Sequence, residues 1–179
     1  MSRLQKELKQ NKPFPSKATE AALALIRTAD LIRRNMAALF LEYDITGQQF
    51  NVLRILRGAG ERGLPTLEIA ERMVEQTPGI TRLIDRLESK QLVIRERCLT
   101  DRRQVFCRIT PDGLALLAEL DAPVRASEEK ALSFLAPRDL TTLISLLDQA
   151  RAGLEPPSIT TSPFMVEKHH AEKNQKENS

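Results

Sequence analysis

The chain has 179 residues, 41% hydrophobic and 28% charged, with 4% aromatics, no Trp and a single tyrosine. This supplies the core of one domain of ordinary size, and its richness in Leu, Ala, Arg and Glu favours helices over a β-sandwich. Cys98 and Cys107 exclude a disulfide framework and show no zinc-ligand spacing. No window approaches the roughly 18 uninterrupted apolar residues of a membrane span, and the charged N-terminus has no signal-peptide apolar stretch, so a soluble, cytoplasmic protein in a reducing compartment is expected. The net charge of +3 is unevenly spread: residues 76–110 hold eight Lys/Arg against four Asp/Glu, and residues 111–153 hold four against seven.

Residues 1–16 are polar and basic, interrupted by Pro13 and Pro15, which predicts a flexible arm. From Lys17 to Tyr43 the apolar positions Ala18, Ala22, Leu25, Ala29, Ile32, Met36, Leu39 and Phe40 follow one face of a long amphipathic helix. Thr46, with Gln49 three residues on, has the pattern of a capping box for a second helix that carries Phe50, Leu53 and Leu56 toward Gly58, Gly60 and Gly63. A third helix is predicted to open at Pro65-Thr66, with Thr66 as its cap and Leu67, Ile69, Ala70 and Met73 buried.

Only Glu75 and Gln76 then precede TPGITRLIDRLESK. Within it Ile80, Leu83, Ile84 and Leu87 share one helical stripe, while Thr81, Arg82, Asp85, Arg86 and Ser89 face away. Thr77 is the expected N-cap and Pro78 the first helical residue, because Pro gives up a donor that has no intrahelical acceptor. Two short helices joined so tightly predict a helix-turn-helix whose second helix suits a DNA groove. After Lys90 the period falls to two: Val93–Leu99 and Gln104–Thr110 read as strands around the charged tip Thr100–Arg103, a hairpin wing.

Thr110 or Pro111 starts a further helix through Leu114, Leu117, Leu120 and Val124 toward Phe134, which Pro123 should kink or break. Pro137 opens a last helix with a burial stripe of Leu140, Leu143, Ile144, Leu147 and Ala150, ended by Gly153. From Glu155 onward the composition cannot bury enough area to offset ordering entropy, which predicts a disordered tail. The expected fold is mainly α: a winged helix-turn-helix over residues 46–110, a helical dimerisation region from residues 17–45 and 111–154, an arm at 1–16 and a tail at 155–179.

The segment ITRLIDRLESKQLVIRERCLTDRRQVFCRITPDG resembles the helix-turn-helix and wing of the MarR (multiple antibiotic resistance regulator) family. The most specific match is Asp-x-Arg, five residues, an apolar residue and Thr, then two residues and Gly, met by Asp101, Arg103, Ile109, Thr110 and Gly113. The resemblance implies a homodimeric winged helix-turn-helix protein that binds pseudo-palindromic double-stranded DNA operators and often releases them on binding a small aromatic or phenolic ligand; a repressor is the expected role. It places the dimer interface on the N- and C-terminal helices. The residues agree independently, since those helices carry more apolar surface than a small domain covers and a two-fold contact is the common solution. Two recognition helices so related would sit about 34 to 36 Å apart, one helical turn of DNA. The family commonly places Gly where Gln91 stands, in a left-handed conformation; Gln there costs about 1 kcal/mol, or the helix ends differently.

Roles follow by chemistry. Thr77, Thr81 and Arg82 lie where side chains reach base edges, and Arg86 one turn on reaches a base or a phosphate. Arg103 is the family-matched candidate for minor-groove insertion, with Asp101 orienting it or another arginine. Lys90, Arg97 and Arg102 are candidates for contacts to the DNA backbone. Tyr43, Phe50 and Met73 are candidates for a ligand pocket, against the plain reading that apolar side chains at helical spacing are core. Cys98 and Cys107 would not face each other across the hairpin, so packing is favoured over redox sensing. No Ser/His/Asp, Cys/His, phosphate-loop or metal constellation is present, and both histidines, His169 and His170, lie in the tail. An enzyme is therefore not expected, nor any cofactor or metal. The competing class is a winged-helix protein-interaction module or a nonspecific architectural DNA binder.

Overall fold

A computed structural model describes residues 2–75, 78–97 and 105–154. The chain divides into one unit over residues 1–134 and a second over residues 135–179. The first contains α1 (Arg3–Glu7), α2 (Lys17–Glu42), α3 (Gly47–Ala59), a 3-10 turn at Gly60–Arg62, β1 (Leu64–Pro65), α4 (Thr66–Arg72), α5 (Ile80–Ser89), β2 (Val93–Arg97), β3 (Val105–Ile109) and α6 (Pro111–Leu132). The second contains α7 (Pro137–Ala152). No helix among the described residues is long and apolar enough to cross a membrane.

The helix starts follow cap chemistry. Thr46 accepts from the Gln49 N–H while the Gln49 side chain accepts from the Thr46 N–H, the reciprocal box read in the sequence. The same box, Ser2 with Gln5, starts α1 inside the arm, where no helix is predicted. Thr66 is not a cap: it is the first residue of α4, and Pro65 stands at the N-cap position. Pro123 does not break α6, which runs unbroken through it. The proline deletes one backbone donor, but Leu117, Leu120 and Val124 on either side of it are buried in the same core and hold the helix together.

The sheet has the order β1-β3-β2, antiparallel throughout. β2 and β3 form the predicted hairpin, with Val93 opposite Ile109 and Arg97 opposite Val105. β1 is unpredicted: two residues, one of them Pro, have no alternation to read, and they become a strand only because β3 offers an edge to Leu64 and Pro65. Cys107 stands opposite Arg95.

The core is centred on α3. Val52, Leu53 and Leu56 are fully buried with Ile69 of α4, Ile84 and Leu87 of α5, Val93 and Cys107 of the sheet, and Leu117 and Leu120 of α6. Phe40 of α2 meets Phe50 of α3 with ring centroids 4.9 Å apart. α2 contributes little else that is fully buried, and its Leu25, Ile26 and Leu31 are exposed. The stripe predicted on α7 is likewise uncovered: Leu140, Leu143 and Leu147 are half-buried and Ile144 and Ala150 exposed.

α5 ends as the resemblance requires, without the usual residue. Gln91 takes φ +59°, its N–H donates to Glu88 O (2.9 Å), and the Leu92 N–H donates to Leu87 O (3.0 Å). This is a Schellman closure, with buried Leu87 and Leu92 at its two ends. Leu92 O in turn accepts from the Thr110 N–H (3.1 Å), and a Cβ on Gly113 would collide with that same oxygen and with Ile109. The Thr and Gly of the sequence pattern are thus the residues that let α6 start directly against the end of α5, with Thr110 Oγ1 donating to Gln91 O (2.7 Å) and accepting from the Gly113 N–H (3.1 Å).

Gln91→Gly should raise stability by about 0.5–1 kcal/mol in chemical denaturation, because it removes a Cβ from a left-handed residue. Gly113→Ala should lower it by about 1–3 kcal/mol through overpacking. A pH dependence comes from α3 and α6, where Arg57 holds Asp121 through two hydrogen bonds of 2.8 and 3.1 Å. The hydrogen bonds from Arg57 depress the Asp121 carboxyl below its ordinary range. The folded pKa lies below the unfolded one, so this stabilisation is present above the ordinary carboxylate range and is lost as pH falls through the folded value. Asp121→Asn should therefore flatten the acid limb of a stability-versus-pH curve, by a small amount because both side chains are more than a third exposed.

Candidate nucleic-acid interface

α5 buries Leu83, Ile84 and Leu87 and half-buries Ile80. The opposite face, Thr81, Arg82, Asp85, Arg86 and Ser89, is exposed as its spacing predicts. Its start differs from expectation. The helix begins at Ile80, with Gly79 at the N-cap position in a left-handed conformation (φ +100°), and Pro78 lies in the preceding turn. Pro78 is therefore not the first helical residue, and Thr77 stands too far ahead to be the N-cap. Gly79 has no side chain to cap with and the first turn carries no acid, so the free N–H groups there are open to an anion such as a DNA phosphate.

The link between the helices is also longer than the two residues predicted: α4 stops at Arg72 and α5 starts at Ile80. Thr77, Asp101, Arg102 and Arg103, with Cys98, lie outside the described residues. Arg97 is described and exposed at the end of β2, at the base of the wing.

The outward charges on α5 are sorted by Arg95, a residue the sequence reading passed over. From β2 its guanidinium reaches Asp85 (2.6 Å), Glu88 (2.9 Å) and the Thr81 carbonyl oxygen (3.2 Å). Burial works against its charge, but the hydrogen bond it donates to Asp85 and the attraction of Asp85 and Glu88 more than offset that, and its pKa is raised. A sequence signal existed: Arg95 stands two residues from buried Val93 and so shares the helix side of the strand, where two carboxylates wait on α5. With Asp85 engaged, Arg82 and Arg86 remain outward and form no ion pair among the described residues.

Lys90, expected to face the DNA backbone, is turned the other way. Its ammonium pairs with Asp44 Oδ2 (2.7 Å) and also meets the Asp44 carbonyl oxygen, tying the end of α5 to the turn between α2 and α3. Cys107 is fully buried beside Thr66, and burial pushes its thiol up despite the opposing contacts of Thr66 and Arg95. A thiol so placed is a poor nucleophile and a good packing group.

A cleft of about 440 Å³ lies between α2, α3 and residues 73–75, with an apolar wall of Met36, Phe40, Phe50 and Met73. Arg33, Arg54 and Glu128 supply charge around it, and Arg54 lies 5.8 Å from the Phe50 ring centroid. Two of the three predicted pocket residues, Phe50 and Met73, line it; Tyr43 does not. Tyr43 stands at the C-cap of α2, where it is partly buried and packs against the core.

Residues 45–105 match the model of the MarR family. Among solved structures, the MarR transcription factor from Planctomyces limnophilus is 41% identical, over 76% of this chain and 99% of that one, with a TM-score of 0.60. The transcriptional regulator MhqR of Bacillus subtilis is 28% identical over 138 residues, 77% of this chain and 92% of its own. A mutant MarR from E. coli complexed with operator DNA shares the fold with a TM-score of 0.69 at 23% identity, over 78% of this chain and 99% of that one.

The Arg95 clamp is testable without DNA. A double-mutant cycle of Arg95→Ala and Asp85→Ala, read by urea unfolding at neutral pH, should return a coupling of about 0.5–1 kcal/mol; strictly additive losses would mean that the pair does not act as one.

Proposed function

The chain belongs to the MarR family, and on that premise we propose that it is a dimeric, sequence-specific repressor that reads a pseudo-palindromic operator in the cytoplasm and leaves it when a small aromatic or phenolic ligand binds. The observation that carries this is the outward face of α5. Its rotation is set by the buried Leu83, Ile84 and Leu87, its one outward carboxylate near the start, Asp85, is engaged by Arg95, and Arg82 and Arg86 stand clear. Cations on a helix of this kind enter a major groove and read guanine edges or phosphates, and the uncapped helix start favours a phosphate beside them.

Dimerisation is supported by the uncovered Leu25, Ile26 and Leu31 of α2 and Ile144 of α7. Exposed apolar residues in that number mark an interface, and a two-fold contact gives two copies of α5 the spacing of successive major grooves. The ligand reading rests on the cleft: its apolar wall fits an aromatic ring and its rim offers Arg33 and Arg54 to an acidic substituent. At the wing, Arg103 is assigned to the minor groove and Asp101 to orienting it, with Arg97 and Arg102 on the backbone. Release follows if the ligand favours a spacing of the two recognition helices that the operator does not fit. The architecture asks no catalytic chemistry of its residues.

Selection of genomic fragments bound by the protein, followed by fluorescence anisotropy on the recovered sequence, tests the reading. Arg82→Ala should weaken operator binding roughly 10- to 100-fold, concentrated at particular base pairs, with a much smaller change on random DNA. Arg103→Ala should also discriminate against the operator; equal losses on both DNAs would refute readout by the wing. Sedimentation at micromolar concentration should give a dimer.

A further inference from the structure

We propose that Met73–Glu75 is the element that transmits the state of the cleft to the start of α5, and that Arg33 and Asn51 are the positioning residues that hold it. This rests on reading the cleft as a ligand site and α5 as the helix that meets DNA. The same three residues form one wall of the cleft and lead on toward α5. They are held from two different helices: the Arg33 guanidinium on α2 pairs with Glu75 Oε1 (3.1 Å), and the Val74 N–H donates to Asn51 Oδ1 on α3 (2.9 Å).

Apolar anchorage of the segment is confined to one residue. Met73 is buried at 8% exposure, Val74 is 86% exposed, and α4 has already ended at Arg72. The backbone here is not part of a helix or a sheet, so Met73 and these side-chain ties help to fix its position. Neither tie is strong, since the ion pair is about half exposed at both ends and water screens it. That suits a switch: an occupant that displaces Met73 from the cleft wall moves a segment whose side-chain ties to α2 and α3 are exposed to water. Downstream, the first turn of α5 closes through the Leu83 N–H on Gly79 O (3.2 Å) with no side-chain cap, and it carries Thr81 and Arg82. A shift of Met73–Glu75 therefore reaches the residues assigned to base edges while the buried end of α5, at Leu87, stays in place.

Hydrogen exchange of the free protein separates this from the DNA reading. Asn51→Ala removes the acceptor and should speed exchange of the Leu83 and Ile84 amides roughly tenfold, leaving the amides of α3 and α6 unchanged. Asn51→Asp, which keeps an acceptor oxygen, should restore the slow rate, and Arg33→Ala should act in the same direction as Asn51→Ala. As a built-in occupant, Ala37→Trp places an indole in the cleft. The chain has no other Trp, so a blue-shifted emission reports the filled cleft, and the Leu83 and Ile84 amides should then exchange faster as well. Unchanged exchange at those amides, or a loss of protection spread equally over α3, overturns the proposal. On the selected operator, Asn51→Ala should bind roughly 3- to 10-fold more weakly, with random DNA within about twofold. Local exchange that rises as expected with no change in operator affinity would leave the transmission standing and overturn the assignment of α5 to DNA.

Discussion

Leu83, Ile84 and Leu87 pack into the core that α3 and α4 build, and that burial leaves α5 one rotation about its own axis. Turning the helix by a single residue would bring a charge inward and expose a leucine, a change of several kcal/mol by the usual burial and desolvation magnitudes. The outward position of Thr81, Arg82 and Arg86 is thus a consequence of what the opposite face hides. Translation along the axis is limited by the other end of the helix. Leu92 O receives the Thr110 N–H and leaves no room for a side chain at residue 113, so the end of α5, the root of the wing and the start of α6 meet at one carbonyl group.

The charges divide into those that hold the fold and those left for a partner. Arg95 holds α5 to β2, Lys90 holds its end to the α2–α3 turn, and Arg57 joins α3 to α6. Arg82, Arg86 and Arg97 are outward. The basic excess of residues 76–110 is therefore not spread evenly: among the described residues, internal pairs engage Asp85, Glu88 and Glu96 and leave arginine along α5 and at the end of β2. A field of this kind is screened over about 8–10 Å at ordinary ionic strength, so it acts on a polyanion at contact range.

At several places a local rule is overridden from a distance. Thr77-Pro78 is a good start signal by side-chain chemistry, yet α5 starts at Ile80 after a left-handed Gly79, because the chain must leave α4 at Arg72, form a wall of the cleft and only then turn. Pro123 is a helix breaker in isolation, but buried neighbours on both sides hold α6 together. Gln91 adopts the conformation usually left to Gly, since the Schellman closure and the buried Leu87 and Leu92 outweigh a strain of about 1 kcal/mol. Lys90 and Arg57 were readable as charges and not as partners, because Asp44 and Asp121 lie 46 and 64 residues away.

The amino-acid sequence by itself determined the elements whose signal is periodic or capped: the long α2, the Thr46 box of α3, the apolar stripe of α5, the alternation of β2 and β3, and the Thr110 start of α6. It also carried the residue pattern through which the family was recognised. These are properties of neighbours along the chain, where side-chain direction follows from a period of 3.6 or 2. The tertiary structure alone decided which charges are spent inside, that Leu64 and Pro65 become a third strand, that Tyr43 faces the core while Phe50 and Met73 face a cleft, and that Arg33 and Asn51 converge on Val74 and Glu75. Each of these depends on two segments distant in sequence arriving at one place, and no spacing along a single chain encodes the distance between them.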